Sequence, residues 1–349
     1  MENFDEYIRQ GEPNKAEKAK VWKTAIGLQQ VDGLTPSDYL IATAKQNIEG
    51  DITIEEVKQR IDQYYQQHLV KDDENRTEEA DKVSARIAEI LSEKTFSFSP
   101  VEYLAIHRRL FQELYSHAGK IRDYNITKKE WVLDGETVLY ASAESLKATL
   151  EYDFEQEKKF IYKGLSQQET IEHIANFISS LWQIHVFGEG NTRTTAIFLI
   201  KYLRTFGFEV NNELFEQYSW YFRNALVRAN YRNYAKNIHA ANDFLLRFFE
   251  NLLLGKKHIL KNREMHVAYI DLVNTRNDPA KATNDPVNDP VKSNILRCIK
   301  QNPKAKYIEI ANETGYSVST IKRHIQELKK LGYIERAGSD KTGYWKIKK

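Results

Sequence analysis

The segment Ile184 to Ala196, IHVFGEGNTRTTA, gathers within nine residues four groups whose chemistries fit together. His185 is the only group nearby that can take up a proton at neutral pH. Glu189 offers a hard carboxylate oxygen of the kind that Mg²⁺ accepts when it bridges a protein and nucleotide phosphates. Gly188 and Gly190, with Asn191 and Thr192, make a glycine-rich turn that runs into a helix. The unpaired N–H groups of such a helix start, together with the positive end of its dipole, form an anion site suited to phosphates. Arg193 falls in the first turn, where its fork can grip phosphate oxygens. Each residue type also occurs alone for structural reasons: a histidine at a helix end, a carboxylate facing a helix dipole, an arginine in a surface ion pair. Base, metal ligand, anion loop and guanidinium in one short run are harder to obtain from packing needs.

The elements around this run read as helices. Ile171, Ile174, Phe177, Ile178, Leu181 and Trp182 recur at three- and four-residue spacing, so an apolar helix face delivers His185 at its end. The first unit, residues 1–75, carries Trp22, Ile26, Leu28 and Val31 as an apolar stripe that stops at Asp32-Gly33. Thr35-Pro36-Ser37-Asp38 begins a second helix that ends at Gly50, and Thr53 with Glu56 opens a third. The second unit, 80–270, is helical except between Asn125 and Tyr140, where two β-prone runs flank Asp134-Gly135 and predict a hairpin. A lone hairpin in a helical domain is expected to act as a flap. Residues 271–290 repeat Asn-Asp-Pro three times and predict an extended linker. Residues 291–349 read as helix, helix, turn, helix and a two-stranded wing.

The run at 185–193 resembles the signature of the Fic family, His-x-Phe-x-Asp/Glu-Gly-Asn-Gly-Arg-x-x-Arg, at His185, Phe187, Glu189, Gly190, Asn191 and Arg193. Ala118 to Arg122 with Asn125-Ile126 resembles the family's approach to its flap, and Tyr221 to Tyr231 resembles the helix closing its nucleotide pocket. The resemblance implies a mainly α fold: a Fic-type helical bundle with a β-hairpin flap, followed by a winged helix domain. It implies transfer of AMP from ATP, as co-substrate with Mg²⁺, to a hydroxyl of a target protein. His185 would be the general base and Glu189 the metal ligand. Gly188, Gly190, Asn191, Thr192, Arg193 and Asn224 would bind the nucleotide. Ile126, Thr127 and Lys128 of the flap would hold the target by strand addition.

Two positions depart from the signature: Thr192 stands for the third glycine, and Ala196 for the second arginine, which in the family contacts the γ-phosphate. The first unit resembles the family's antitoxin-type inhibitory module, aligned at Leu28 to Gly33 with Asp32 in the acidic place. With Ala196 as its would-be partner, Asp32 is expected to have no ion pair and little inhibitory effect.

Charge divides the chain. Residues 291–349 hold 14 Lys and Arg against 5 Asp and Glu, a net of +9, while the rest nets −7. A basic tail on an acidic body points to nucleic acid as the partner of the tail alone. Thr320, Lys322 and Arg323 of its third helix, and Lys341 of the wing, are the candidate DNA contacts. The single cysteine, Cys298, excludes a disulfide framework and fits the cytoplasm. The polar, acidic first ten residues argue against a signal peptide, and no run is apolar enough to span a membrane. A homodimer remains an open assembly. The other function class in view is a DNA-binding regulator whose Fic fold senses a nucleotide or serves as a scaffold.

Overall fold

The computed structural model describes residues 4–67, 76–208, 210, 212–268, 290–314, 316, 318–338 and 343–348. The described chain is mainly helical and divides into two compact units, the first ending at Ala268 and the second holding the C-terminal helices and wing. The expected linker at 271–290 lies outside the described residues except for Pro290.

In the first unit the helices are α1 (Asp5–Gln10), α2 (Pro13–Gly27), α3 (Asp38–Glu49), α4 (Ile54–Gln67), α5 (Thr77–Ser92), α6 (Pro100–Phe111), α7 (Leu146–Lys159), α8 (Gln167–Ile184), α9 (Asn191–Thr205), α10 (Asn212–Ala229) and α11 (Asp243–Leu254). Their ends follow local chemistry. Ser37 caps α3, one residue past the expected Pro36 start, and Gly50 closes that helix at φ 91°. Thr53 and Glu56 exchange hydrogen bonds at 2.7 and 3.2 Å ahead of α4, a capping box.

The N-terminal helices share one hydrophobic core with the rest of this unit. Helix α5 explains why: the buried Asp81 accepts from Ser37 N at 2.8 Å and from Tyr65 Oη at 2.8 Å. The far end of α5 is held by α9, where Lys201 Nζ donates to the carbonyls of Ile90 and Glu93, and Arg204 to that of Leu91. Every residue from Asn191 to Leu203 is buried, so α9 is the central helix.

The expected hairpin at 125–140 is corrected by the structure. Its turn forms as read, with Asp134 and Gly135 both at positive φ, 56° and 85°. No strands flank it. Residues Trp131–Leu133 make a 3-10 turn instead, which buries Val132 and Leu133 in the core. The two arms are joined by Glu130 N to Glu136 O at 2.9 Å, Gly135 N to Glu130 O at 3.0 Å and Lys128 N to Thr137 Oγ1 at 3.1 Å. The fully buried Glu130 carboxylate lies 2.7 Å from Arg223 Nη1. Anchoring that charge and those side chains inward outweighs β propensity on this arm.

The second unit has α12 (Pro290–Gln301), α13 (Tyr307–Thr314) and α14 (Val318–Lys330), then β1 (Ile334–Ala337) antiparallel to β2 (Tyr344–Ile347), Ile334 opposite Ile347. Ile321, Ile325 and Leu328 of α14 are fully buried with Ile295, Ile310 and Trp345 in a core of their own. No described helix is long and apolar enough to cross a membrane.

Candidate active site

His185 terminates α8 in the left-handed conformation, φ 54°. A non-glycine residue there carries strain unless its surroundings hold it, and Arg122 does so. Its buried guanidinium donates to the carbonyls of His185 at 2.8 Å, Tyr124 at 2.5 Å and Ala141 at 2.6 Å, tying the end of α8 to both roots of the flap segment. The His185 ring lies 4.1 Å from that of Tyr140. Its Nδ1 is 3.4 Å from Trp182 O, and its buried Nε2 has no hydrogen-bond partner among the described residues. Burial, with Lys128, Arg223 and Arg122 nearby, holds its pKa well below the usual histidine range. The ring is therefore neutral at physiological pH, as a general base must be.

The loop that follows is braced from within. Asn191 accepts from Phe187 N at 3.0 Å and donates to Phe187 O at 2.7 Å, so its side chain shapes the turn. Thr192 Oγ1 accepts from Trp182 Nε1 at 3.0 Å. Gly190 caps α9 at φ 74°, and a Cβ there would sit 2.3 Å from the Phe111 ring, so only glycine fits. His107 joins this brace: its Nδ1 accepts from Gly119 N at 2.8 Å, which leaves Nε2–H to donate to Glu189 O at 3.0 Å. Burial pushes its pKa down to about 3, which keeps the bridge neutral. The Glu189 carboxylate is half exposed and lies 3.1 Å from Lys128 Nζ. Among the described residues no three His, Cys, Asp or Glu stand together to hold a metal by themselves. A single exposed carboxylate oxygen fits Mg²⁺ when phosphates and water complete its shell.

Arg193 corrects the expectation that Asp32 stands without an ion pair. It is fully buried, and its fork is occupied: Nε lies 2.8 Å from Asp32 Oδ2, Nη2 2.7 Å from Glu79 Oε1, and Nη1 donates to Gln29 Oε1 at 3.0 Å. Asp32 therefore has a partner, and that partner is the signature arginine itself. Burial opposes ionisation of Asp32, but Arg193 first, then Arg223, Lys128 and Arg76, hold its carboxyl below the ordinary carboxylate range. Glu79 is itself held by Arg76 and by Tyr115 Oη at 2.6 Å. Phe111 lies under the Arg193 guanidinium at 4.8 Å. Ala196 is fully buried among apolar side chains.

The remaining candidates divide. Asn224 is fully buried and donates to Asn262 Oδ1 at 2.9 Å, while its own Oδ1 has no partner among the described residues. Lys128 stands at the site through Glu189, Ile126 packs on the core and Thr127 is exposed. On α14, Lys322 is exposed and Arg323 half-buried, whereas His324 beside them is buried. Thr320 is half-buried, and Lys341 lies outside the described residues. Sequence reasoning missed Gln29, Glu79, His107 and Arg223, whose roles depend on partners far along the chain. Arg122 stood in the stretch leading to the flap without a role of its own.

Residues 97–203 match the Fic/DOC family, and residues 288–335 match the winged helix-turn-helix DNA-binding family. The probable protein adenylyltransferase y4lH of Sinorhizobium fredii (strain NBRC 101917 / NGR234) is 27% identical over 160 residues, 45% of this chain and 78% of that protein. Among solved structures, a Fic family protein from Desulfovibrio desulfuricans G20 is 12% identical with a TM-score of 0.45, over 99% of this chain and 93% of that one. The BepC protein of Bartonella tribocorum, with bound AMPPNP, is 22% identical with a TM-score of 0.38, over 49% and 81%. His185 and its loop fall inside the first matched segment and the helix pair with its wing inside or against the second, so this chain carries a Fic domain at 97–203 and a winged helix-turn-helix domain at 288–335.

Proposed function

We propose that this protein is a transferase that moves AMP from ATP to a hydroxyl side chain of another protein, and that Asp32 restrains it. The observation that carries the reading is His185: neutral, held at the end of α8, with a buried Nε2 that no described residue engages. In the reaction the hydroxyl gives its proton to Nε2 while its oxygen bonds to the α-phosphorus, and pyrophosphate leaves with the electrons of the broken P–O bond. The amides entering α9 would cradle phosphate. Glu189, once parted from Lys128, would hold Mg²⁺, which would offset phosphate charge. Arg193 would meet the polyphosphate only after Asp32 lets go. The name of the Sinorhizobium fredii relative, a probable protein adenylyltransferase, supports this chemistry. DNA would be met through Lys322, Arg323 and the wing, and the cytoplasm is the compartment in which we would look for the reaction.

The occupied fork of Arg193 favours one other reading, a DNA-binding regulator that senses a nucleotide and transfers little. Intact-mass spectrometry of the full chain after incubation with ATP and Mg²⁺ separates the two. One AMP added per modified hydroxyl on the chain, absent in His185→Ala, supports the transferase. Nucleotide binding without transfer to itself or to any protein of a cell extract, in both the native chain and Asp32→Ala, removes it.

A further inference from the structure

Helix α10 lies hard against the turn that carries Asp32. Ser219 Oγ donates to Gly27 O at 2.8 Å, and a Cβ on Gly27 would sit 2.3 Å from Glu216 Cα. One helical turn beyond Ser219, on the same face, is Arg223. Its guanidinium is organised before any ligand arrives: Nη1 is 2.7 Å from Glu130 Oε2, Nη2 donates to Glu130 Oε1 at 3.0 Å, and the Trp220 ring lies 5.1 Å away. Glu130 in turn accepts from Tyr140 Oη at 3.3 Å, and the Tyr140 ring packs at a tilt against that of His185, 4.1 Å away. Arg223 is thus linked through two residues, Glu130 and Tyr140, to the candidate base, and its side chain keeps 15% of its surface open.

Glu130 takes one edge of the fork and leaves N–H donors to spare. After Arg193, Arg223 is the cation that Asp32 feels most. A carboxylate held by one guanidinium, on a turn against which α10 packs, occupies the kind of place a phosphate takes, because both anions present paired oxygens that an arginine fork binds. We propose that Arg223 is a second polyphosphate ligand, which together with Arg193 grips the nucleotide phosphates in the place the Asp32 carboxylate now holds. The inference rests on the reading of this site as one for nucleotide phosphates. It adds a cation contributed by α10, outside the loop.

The test is calorimetry of the full chain with inorganic triphosphate and with adenosine, in the native and Asp32→Ala backgrounds. Arg223→Gln is expected to weaken triphosphate binding about tenfold or more, the loss of a charged hydrogen bond, and to leave adenosine binding unchanged. Arg223→Lys should recover part of the loss. Because Arg223→Gln strands the buried Glu130, the double variant Glu130→Gln/Arg223→Gln keeps the test open should the single variant fail to fold. Triphosphate affinity equal to that of the parent in either variant, or no triphosphate binding in both backgrounds, overturns the proposal. So does an equal loss for triphosphate and adenosine, which would make Arg223 a brace of the flap segment alone. A chain that transfers AMP through His185 yet binds triphosphate equally without Arg223 sinks this inference only. Arg223-dependent triphosphate binding without any transfer sinks the transferase reading only.

Discussion

Arg193 and Arg323 are both guanidiniums carried on helices, and their surroundings are opposite. Arg193 is fully buried among Asp32, Glu79 and Gln29. Arg323 is half-buried on α14, its Nη2 3.1 Å from His324 Nε2 and no carboxylate on it among the described residues, beside the exposed Lys322, which is an open cation of this face. A charge removed from water must be met by other charges or hydrogen bonds, so the buried arginine carries its counter-ions with it. An exposed cation is satisfied by water and stays available. A signature residue can thus be present and yet engaged, while a less distinctive basic face is open to a partner. Breaking the buried network should therefore have large effects on the first unit, and trimming the exposed face graded ones on the second.

The largest effect is expected at His185. His185→Ala should lower transfer by about 10²- to 10⁴-fold, the contribution of a positioned base, in a chain that still unfolds in one cooperative transition. An undiminished rate would take the base role away from it. Next is Ala196→Arg, which puts a long cation into a fully buried position. Overpacking and an unmet charge should cost at least about 3 kcal/mol of stability, read as a lower denaturant midpoint. A folded variant that binds ATP more tightly would show room beside α9 that the packing does not suggest.

Releasing the buried arginine comes third. Asp32→Ala should raise transfer about tenfold, since Arg193 is then freed of one charged partner. No gain would make Glu79, held by Arg76 and Tyr115, the stronger restraint. Acid alone should release Asp32 only below the ordinary carboxylate range, because its folded pKa is depressed and the pair is intact above that range.

The pH profile is a finer test of the same burial. A histidine whose folded pKa lies well below 6.5 stays neutral as pH falls, so kcat/KM should stay flat through pH 6.5 on its acid side. Stability, by contrast, should decline below pH 6.5, where the unfolded chain binds the proton that folded His185 refuses. A rate inflection near 6.5 would mean that His185 is solvated when it works.

The smallest effect belongs to the open face. Replacing Lys322 and Arg323 together should flatten the slope of log K against log salt for duplex DNA by about 2, near 0.9 for each phosphate no longer neutralised. An unchanged slope would assign DNA binding to other residues, or to none.

Much of this was legible locally. The end of α8 at His185, the glycine-rich turn into α9, the three N-terminal helices and the helix pair with its wing all follow from apolar spacing, caps and glycines within one or two turns. The flap was half legible. Asp134-Gly135 dictates a turn by backbone preference alone, but whether strands flank it depends on Glu130 and Val132 being drawn inward by α10 and the core.

The sequence by itself determined which chemical groups the chain brings to one short run, and that a separate basic unit follows it. Only the tertiary structure decided who faces whom. Aligned to a signature, Asp32 pairs with position 196 and finds an alanine. In the folded chain it reaches Arg193 on the same helix at 2.8 Å. Caps and periodicity act over neighbours in sequence, whereas a half-buried carboxylate is paired by whatever cation the packing of α2, α9 and α10 sets beside it, and no local pattern of residues encodes that choice.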